Sequence, residues 1–326
     1  MAGQVIPAPF REPRPFPGQD PWIVPFEDSL LLIQSTAGDR KITVMRFRDL
    51  TCMDRNQSTT IWAPPRTSDH AREIWAPELH HLSGRWYVYY TACDGQSRNH
   101  RTYVLEADHP LGPYRELGQV CDPDHDVWSI DLTVVRHNGG LFAVWSGWDQ
   151  AEDGFPQNLY LAPMSNPWTI SGPRARISRP EHEWEMSVAA VNEGPQVLRN
   201  RRRGKLFIVY SADASWTAAY KMGLLEWVGG DITDPAAWRK LQRPILSGGG
   251  HGCFVEVGGS SSVVYHRKTT AEPGWSDREI RSEPLSWDDA GYPVIGRSRP
   301  APTPTQHPRS ALNGGPVDAP ASTPAA

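Results

Sequence analysis

The sequence predicts an all-β chain folded as a single five-bladed β-propeller. Three observations carry that expectation: one strand-turn-strand unit recurs five times, Gly and Pro are frequent, and no run reads as a long amphipathic helix. Of the 326 residues, 28 are Gly and 31 are Pro, a density that long helices do not survive. The 14 Trp suit strands and flat surfaces on which rings stack. A chain of this length can bury a full core.

The repeat rests on five short runs rich in β-branched and aromatic residues, LLLIQS, WYVYYT, LFAVWS, LFIVYS and SVVYHR, which start at Leu30, Trp86, Leu141, Leu206 and Ser262. Successive starts lie 56, 55, 65 and 56 residues apart. Turn signals Ser83-Gly84, Gly139-Gly140 and Arg203-Gly204 precede three of them. Each run is followed by a second strand candidate, over residues 41–47, 102–106, 158–162, 220–226 and 279–284. Several short antiparallel strands in a unit of this period are the signature of a propeller blade. A β-sandwich would supply short strands, but not one unit at near-constant spacing. Residues 1–17, with five Pro, read as a lead, 18–297 as the propeller, and 298–326, with seven Pro, as a disordered tail.

The net charge is -4 and 21% of residues are charged, which points to neither nucleic acid nor an anionic membrane surface. The one basic cluster, residues 199–205, sits between two apolar runs and reads as a solvated hairpin loop. No apolar run approaches the roughly 20 residues that span a bilayer. Residues 1–7 have neither the basic nor the apolar region of a signal peptide. The expectation is a cytoplasmic protein, or a secreted one if an N-terminal segment has been removed. Cys52, Cys93, Cys121 and Cys253 allow two disulfides but their spacing demands none and matches no zinc motif. His80 and His81, adjacent on a strand, face opposite ways and cannot share a metal. The Gly-rich stretch from Gly248 to Gly252 lacks the Lys-Ser/Thr ending of a phosphate loop. No HExxH, GxSxG or Cys-His nucleophile arrangement is present.

Just ahead of each run stands one distinctive polar residue: Asp20, Glu78, Asp131, Glu193 and His251, at spacings of 58, 53, 62 and 58. The innermost strand of a blade lines the central channel, so equivalent positions form a ring around the axis, where ligands bind. Carboxylates converging on one funnel push their pKa values apart, leaving one protonated and one ionised, as acid–base chemistry requires. A single carboxylate beside Pro or Gly is ordinarily a turn residue; four carboxylates and a histidine in phase with a repeat are harder to dismiss.

The segments Asp20-Pro21-Trp22-Ile23, Trp75-Ala76-Pro77-Glu78, Ser129-Ile130-Asp131, Asn192-Glu193-Gly194-Pro195 and Gly250-His251-Gly252 together resemble glycoside hydrolase family 43, over residues 18–297. The resemblance implies a five-bladed propeller with Asp20 as general base, Glu193 as general acid, and Asp131 orienting that acid and raising its pKa. It implies inversion, with base and acid carboxyls roughly 6.5–9.5 Å apart. It makes His251 the axial histidine, near a water-coordinated ion such as calcium, while the chemistry itself needs no cofactor. Gln19 departs from the small residue that many relatives carry before Asp-Pro. The activity implied is an exo-acting α-L-arabinofuranosidase releasing terminal arabinose from arabinan or arabinoxylan oligosaccharides. A β-xylosidase or bifunctional enzyme, an endo-arabinanase, and a carbohydrate-binding propeller without turnover are the alternatives. Trp22 and Trp75 either stack on a sugar or pack between blades. Arg267 and His266 either reach substrate hydroxyls or end a strand in solvent, and Glu78 is a candidate substrate-binding residue.

Overall fold

Each of the five runs becomes the second strand of a four- or five-stranded antiparallel sheet. The computed structural model describes residues 16–36, 40–52, 58–65, 67–152 and 154–296, so the lead before Phe16 and the tail beyond Gly296 lie outside the described residues. Blade I holds β2 (Gln19–Phe26), β3 (Ser29–Ser35), β4 (Ile42–Phe47) and β5 (Ser58–Trp62). Blade II holds β6 (Arg72–Leu82), β7 (Arg85–Cys93), β8 (Arg101–Ala107) and β9 (Arg115–Gln119). Blade III holds β10 (Ser129–His137), β11 (Gly140–Gly147), β12 (Asn158–Asn166), β13 (Thr169–Ile170) and β14 (Ala175–Ser178). Blade IV holds β15 (Asn192–Asn200), β16 (Lys205–Ala212), β17 (Lys221–Trp227), β18 (Trp238–Lys240) and β19 (Leu246–Ser247). Blade V holds β20 (Gly250–Val257), β21 (Ser260–Lys268), β22 (Arg278–Trp287) and β23 (Pro293–Ile295).

The near-continuous apolar runs follow from burial on both faces, because alternate side chains serve opposite neighbours. On β3, Leu31 and Ile33 pack toward blade II with Leu79, Val88 and Tyr90. Leu30 and Leu32 pack toward blade V with Val255 and Val264. On β16, Leu206, Ile208 and Tyr210 join blade III, and Phe207 and Val209 join blade V. A further cluster fills the gap between blades II and III. Five apolar layers thus serve five pairs of neighbours, the last pair being blades V and I.

Ring closure uses the chain's own start. Strand β1 (Phe16–Pro17) pairs with β22, Phe16 opposite Ile280 and Pro17 opposite Glu279. Phe16 is buried among Ile23, Val255 and Ile280. The lead expected to end at residue 17 therefore ends at least two residues sooner, because Phe16 has an apolar slot to fill. The basic segment forms the turn between β15 and β16, as expected of a hairpin loop. All four cysteines are free, so neither of the two allowed disulfides forms. Among the described residues no helix is long and apolar enough to cross a membrane.

Candidate active site

At the channel mouth every innermost strand carries the same irregularity. Gln19 and Trp22 stand opposite Ser35 and Ile33, so three steps on β2 match two on β3. The same extra residue follows Trp75, Ile130, Glu193 and Gly250. A bulge of this kind re-aims a side chain out of the regular pleat. Its first residue is left-handed in all five blades: Asp20 (φ 51°), Ala76 (43°), Asp131 (57°), Gly194 (53°) and His251 (43°). For a non-Gly residue such backbone costs of order 1–3 kcal/mol and persists only when neighbours hold it.

The holding groups come mainly from the ends of the second strands. Ser35 Oγ accepts the Ala76 N–H (2.6 Å), Thr91 Oγ1 that of Asp131 (3.3 Å) and Ser211 Oγ that of His251 (2.6 Å). In blade V the equivalent position is His266, whose Nδ1 accepts the Asp20 N–H at 3.0 Å. Gly194 differs: its N–H goes to Asp131 Oδ2 at 3.0 Å. The hydroxyls then pass the interaction on. Ser35 donates to Asp20, and Ser211 donates to Tyr220, whose own hydroxyl donates to Glu193 Oε1 at 2.9 Å. Each bulge is thus tied to the neighbouring blade, and three of the ties end on carboxylates.

Asp20, Asp131, Glu193 and His251 do converge. His251 Nδ1 lies 3.4 Å from Asp20 Oδ1 and 3.7 Å from Asp131 Oδ2. Asp131, Glu193 and His251 are buried. Gly194 is required here, since a Cβ on it would meet His251 Cγ at 3.1 Å with φ already at 53°. Gly250 is required for the same reason, because a Cβ there would lie 2.5 Å from Tyr220 Cε1.

The ring read from the sequence is partly out of phase. The blade II equivalent of Asp20 is Ala76, and Glu78 lies two residues deeper in the channel. Glu78 is not placed for sugar: His80 Nε2 lies 2.7 Å from one oxygen, and Gln196 from across the channel donates to the other. Glu193 stands one residue before its bulge rather than on it. Trp22 serves packing, donating Nε1–H to Leu79 O (2.7 Å) and sitting 4.5 Å from the His80 ring between blades I and II. Arg267 bonds Glu279 at 3.0 Å across the β21–β22 rung, on the side of the sheet opposite His266, and is not brought to the carboxylates. Trp75 stays partly exposed, stacked on His100 at 3.7 Å and packed against Trp128, Ile130 and Trp148.

Burial and charge sort the three carboxyls. Burial acts to raise Asp20, yet the charge of His251, aided by Arg278 and the Ser35 hydroxyl, outweighs it and holds Asp20 below its ordinary value. Asp131 is raised to about 7 by burial and by Glu193 and Asp20. Burial also raises Glu193, with Asp20 adding to it, against His251, Tyr220 and Ser215. Burial works against the His251 cation, but Asp131, Asp20 and Glu193 overcome it and raise its pKa. His266, pushed down to about 3 by burial, is neutral, which frees Nδ1 to accept the Asp20 amide. One carboxyl is thus pushed toward the ionised form beside two pushed toward the protonated form, the division that acid–base catalysis needs.

A group whose folded pKa is raised stabilises fully below its unfolded value, and loses that contribution as pH rises through the folded value. Asp131 and Glu193 should therefore cost stability from the ordinary carboxylate range up to about pH 7. Glu193→Gln is expected to raise the melting temperature at pH 8 by on the order of a few °C and to leave it nearly unchanged at pH 4. Equal melting curves for the two proteins at pH 8 would contradict this assignment.

The donor set around His251 fits a hard cation only at one remove. Calcium takes oxygen ligands, whereas His251 offers nitrogen and both Glu78 oxygens are already bonded. Among the described residues the metal-capable atoms that cluster are those of Glu73, Cys93 and His100, at the rim of blade II. An axial calcium would rest on water held by His251.

Sequence reading missed Tyr220, Ser215 and Arg278, and considered His266 only as a substrate contact or a strand end rather than as the acceptor of the Asp20 amide. Arg278 donates to Gln19 Oε1 (2.8 Å) and to Ser215 O (3.1 Å), so the unusual Gln19 is the acceptor that seats this arginine. The Ser/Thr endings of three runs, Ser35, Thr91 and Ser211, were the visible signal for the bulge ties, whereas Ser146 ends a fourth run but donates to Asn192 O, and blade V uses His266.

A family model described as "Glycosyl hydrolases family 43" matches residues 14–293. The chain is 36% identical over 284 residues to an extracellular exo-α-(1→5)-L-arabinofuranosidase of Streptomyces chartreusis, spanning 82% of this chain and 84% of that protein. It is 35% identical over 317 residues to α-L-arabinofuranosidase 43 of Humicola insolens, spanning 90% of this chain and 65% of that one. Among solved structures it resembles α-L-arabinofuranosidase from Lactobacillus brevis, with a TM-score of 0.76 and 29% identity over 87% of this chain and 95% of that one.

Proposed function

Since the chain belongs to glycosyl hydrolase family 43 and is therefore a glycosidase acting on a sugar substrate, we propose that it releases terminal α-L-arabinofuranosyl residues from arabinan or arabinoxylan oligosaccharides, with inversion. The observation that carries the reading is the division of the converging carboxyls, the pKa of Asp20 held low and that of Glu193 pushed up. Asp20 takes a proton from water as its oxygen attacks the anomeric carbon. Glu193 gives its proton to the glycosidic oxygen as that bond breaks on the opposite face. Asp131 positions the acid by accepting the amide of Gly194, next in the chain. The positive charge of His251 offsets the repulsion among the carboxylates during the proton exchange. After product release, solvent returns a proton to Glu193 and removes one from Asp20. No step requires a bound ion.

Arabinose rather than xylose is favoured by the relatives at 36% and 35% identity, both named as arabinofuranosidases. The test is hydrolysis of 4-nitrophenyl α-L-arabinofuranoside beside 4-nitrophenyl β-D-xyloside. Turnover of the arabinoside in large excess supports the reading, and a dominant xyloside signal overturns it. The pH profile should be bell-shaped: its acid limb follows Asp20 and lies low, and its alkaline limb follows the Asp131–Glu193 pair. Asp131→Asn removes one of the two titrating carboxyls, so the alkaline limb should reduce to the loss of a single proton. One relative is named as an extracellular enzyme. Fractionation of the native host decides whether polymer or imported oligosaccharide is met.

A further inference from the structure

Most large apolar side chains of this protein are covered, but Trp275 is 63% exposed. It sits on the loop between β21 and β22, with Trp216, from the loop between β16 and β17, at 5.3 Å and an interplanar angle of 50°. An aromatic left in water on a floppy loop would mean little; this one is fixed in place. Gly274 N–H donates to Trp216 O at 2.8 Å, joining the two loops. Lys268 Nζ donates to Gly274 O (3.1 Å) and Ser276 O (2.8 Å), and Thr269 N–H to Asp277 O (2.8 Å), bracing the loop from both flanks.

The pair is also wired to the reacting groups. The guanidinium of Arg278 lies 5.1 Å from the Trp275 ring centroid and bonds Gln19, the residue before Asp20. The same guanidinium bonds the carbonyl of Ser215, whose hydroxyl bonds Glu193 and whose next residue is Trp216. The departing portion of the substrate must leave from the side on which its oxygen is protonated, the side of Glu193 and Ser215. The faces of pentose rings carry C–H groups that stack on indoles, which supply a large apolar area with few rotatable bonds.

We propose that Trp275 and Trp216 form a platform for the first sugar residue beyond the scissile bond, so that the enzyme prefers an oligosaccharide to a simple glycoside. This rests on the glycosidase reading above, but not on which pentose is cleaved. The experiment compares wild type, Trp275→Ala and Trp275→Phe on arabinotriose against methyl α-L-arabinofuranoside, and on xylotriose against methyl β-D-xyloside. Whichever series wild type cleaves identifies the sugar. Within that series Trp275→Ala should raise KM for the trisaccharide about 10-fold, a change near 1.4 kcal/mol, while KM for the methyl glycoside moves less than about 2-fold and Trp275→Phe recovers most of the loss. An unaltered trisaccharide KM, or equal losses on both substrates, overturns the platform. If wild type cleaves neither series, the arabinoside reading fails. Quenching of tryptophan fluorescence by the two trisaccharides then judges the platform by itself: quenching lost in Trp275→Ala upholds it, and quenching identical to wild type rejects it.

Discussion

Glu193→Gln should lower kcat/KM on arabino-oligosaccharides by roughly 10²–10⁴-fold, the range expected when a general acid is removed. The loss should depend on the leaving group. An oligosaccharide leaves as an alkoxide unless it is protonated, so removing the proton on Glu193 exposes the full cost. A dinitrophenolate leaves without help, and 2,4-dinitrophenyl α-L-arabinofuranoside should lose far less. Glutamine keeps the acceptor for the Tyr220 hydroxyl, which donates to Glu193 Oε1 at 2.9 Å, so the fold is spared. Equal losses on the two substrates would sink the general-acid role and make Glu193 a binding residue.

Asp20→Ala should show the complementary pattern. Every substrate needs an attacking water, so oligosaccharide and activated aryl glycoside should both fall by about 10²–10⁴-fold. Azide attacks without losing a proton, so added azide should restore part of the rate on the aryl glycoside. The product should be the glycosyl azide of inverted configuration, which NMR identifies directly. An azide of retained configuration would mean a covalent intermediate and a different role for Asp20. The cavity left by the side chain also admits the small anion, since His251 and Arg278, which lower the pKa of Asp20, keep the spot electropositive.

Local periodicity was enough to read the five second strands, because strands buried on both faces are apolar almost throughout. It was also enough for Asp20, Asp131 and His251, each of which heads its own bulge. It misplaced Glu78, since the blade II strand carries its bulge at Ala76, and a one-residue insertion leaves no trace in composition. The part played by Trp22 depended on whether a neighbouring carbonyl stood within reach of its indole N–H. Leu79 O does, 57 residues away in sequence. Arg267 looked suited to the substrate only until strand alternation placed it on the face opposite His266. The tie between Ser35, Thr91 or Ser211 and the next blade was written in the strings LLLIQS, WYVYYT and LFIVYS. Reading it required knowing that strand ends meet bulges across a blade boundary. His266 breaks that pattern where a neutral acceptor beside Asp20 is needed.

The pairing of Phe16 with Ile280 sets a schedule for the chain as it is made. Phe16 leaves the ribosome 264 residues before its partner Ile280, 280 minus 16. At 5–20 residues per second the gap amounts to roughly 15–50 s. Throughout that interval blades I to IV can pair their strands locally, while the apolar faces of Leu30, Leu32 and Ile23 have no fifth blade to cover them. The newborn protein is thus an open horseshoe with one sticky flank, and a second copy at the same stage offers that flank its own. Expression yield should therefore depend on translation speed through residues 250–287 more than through any earlier stretch of equal length.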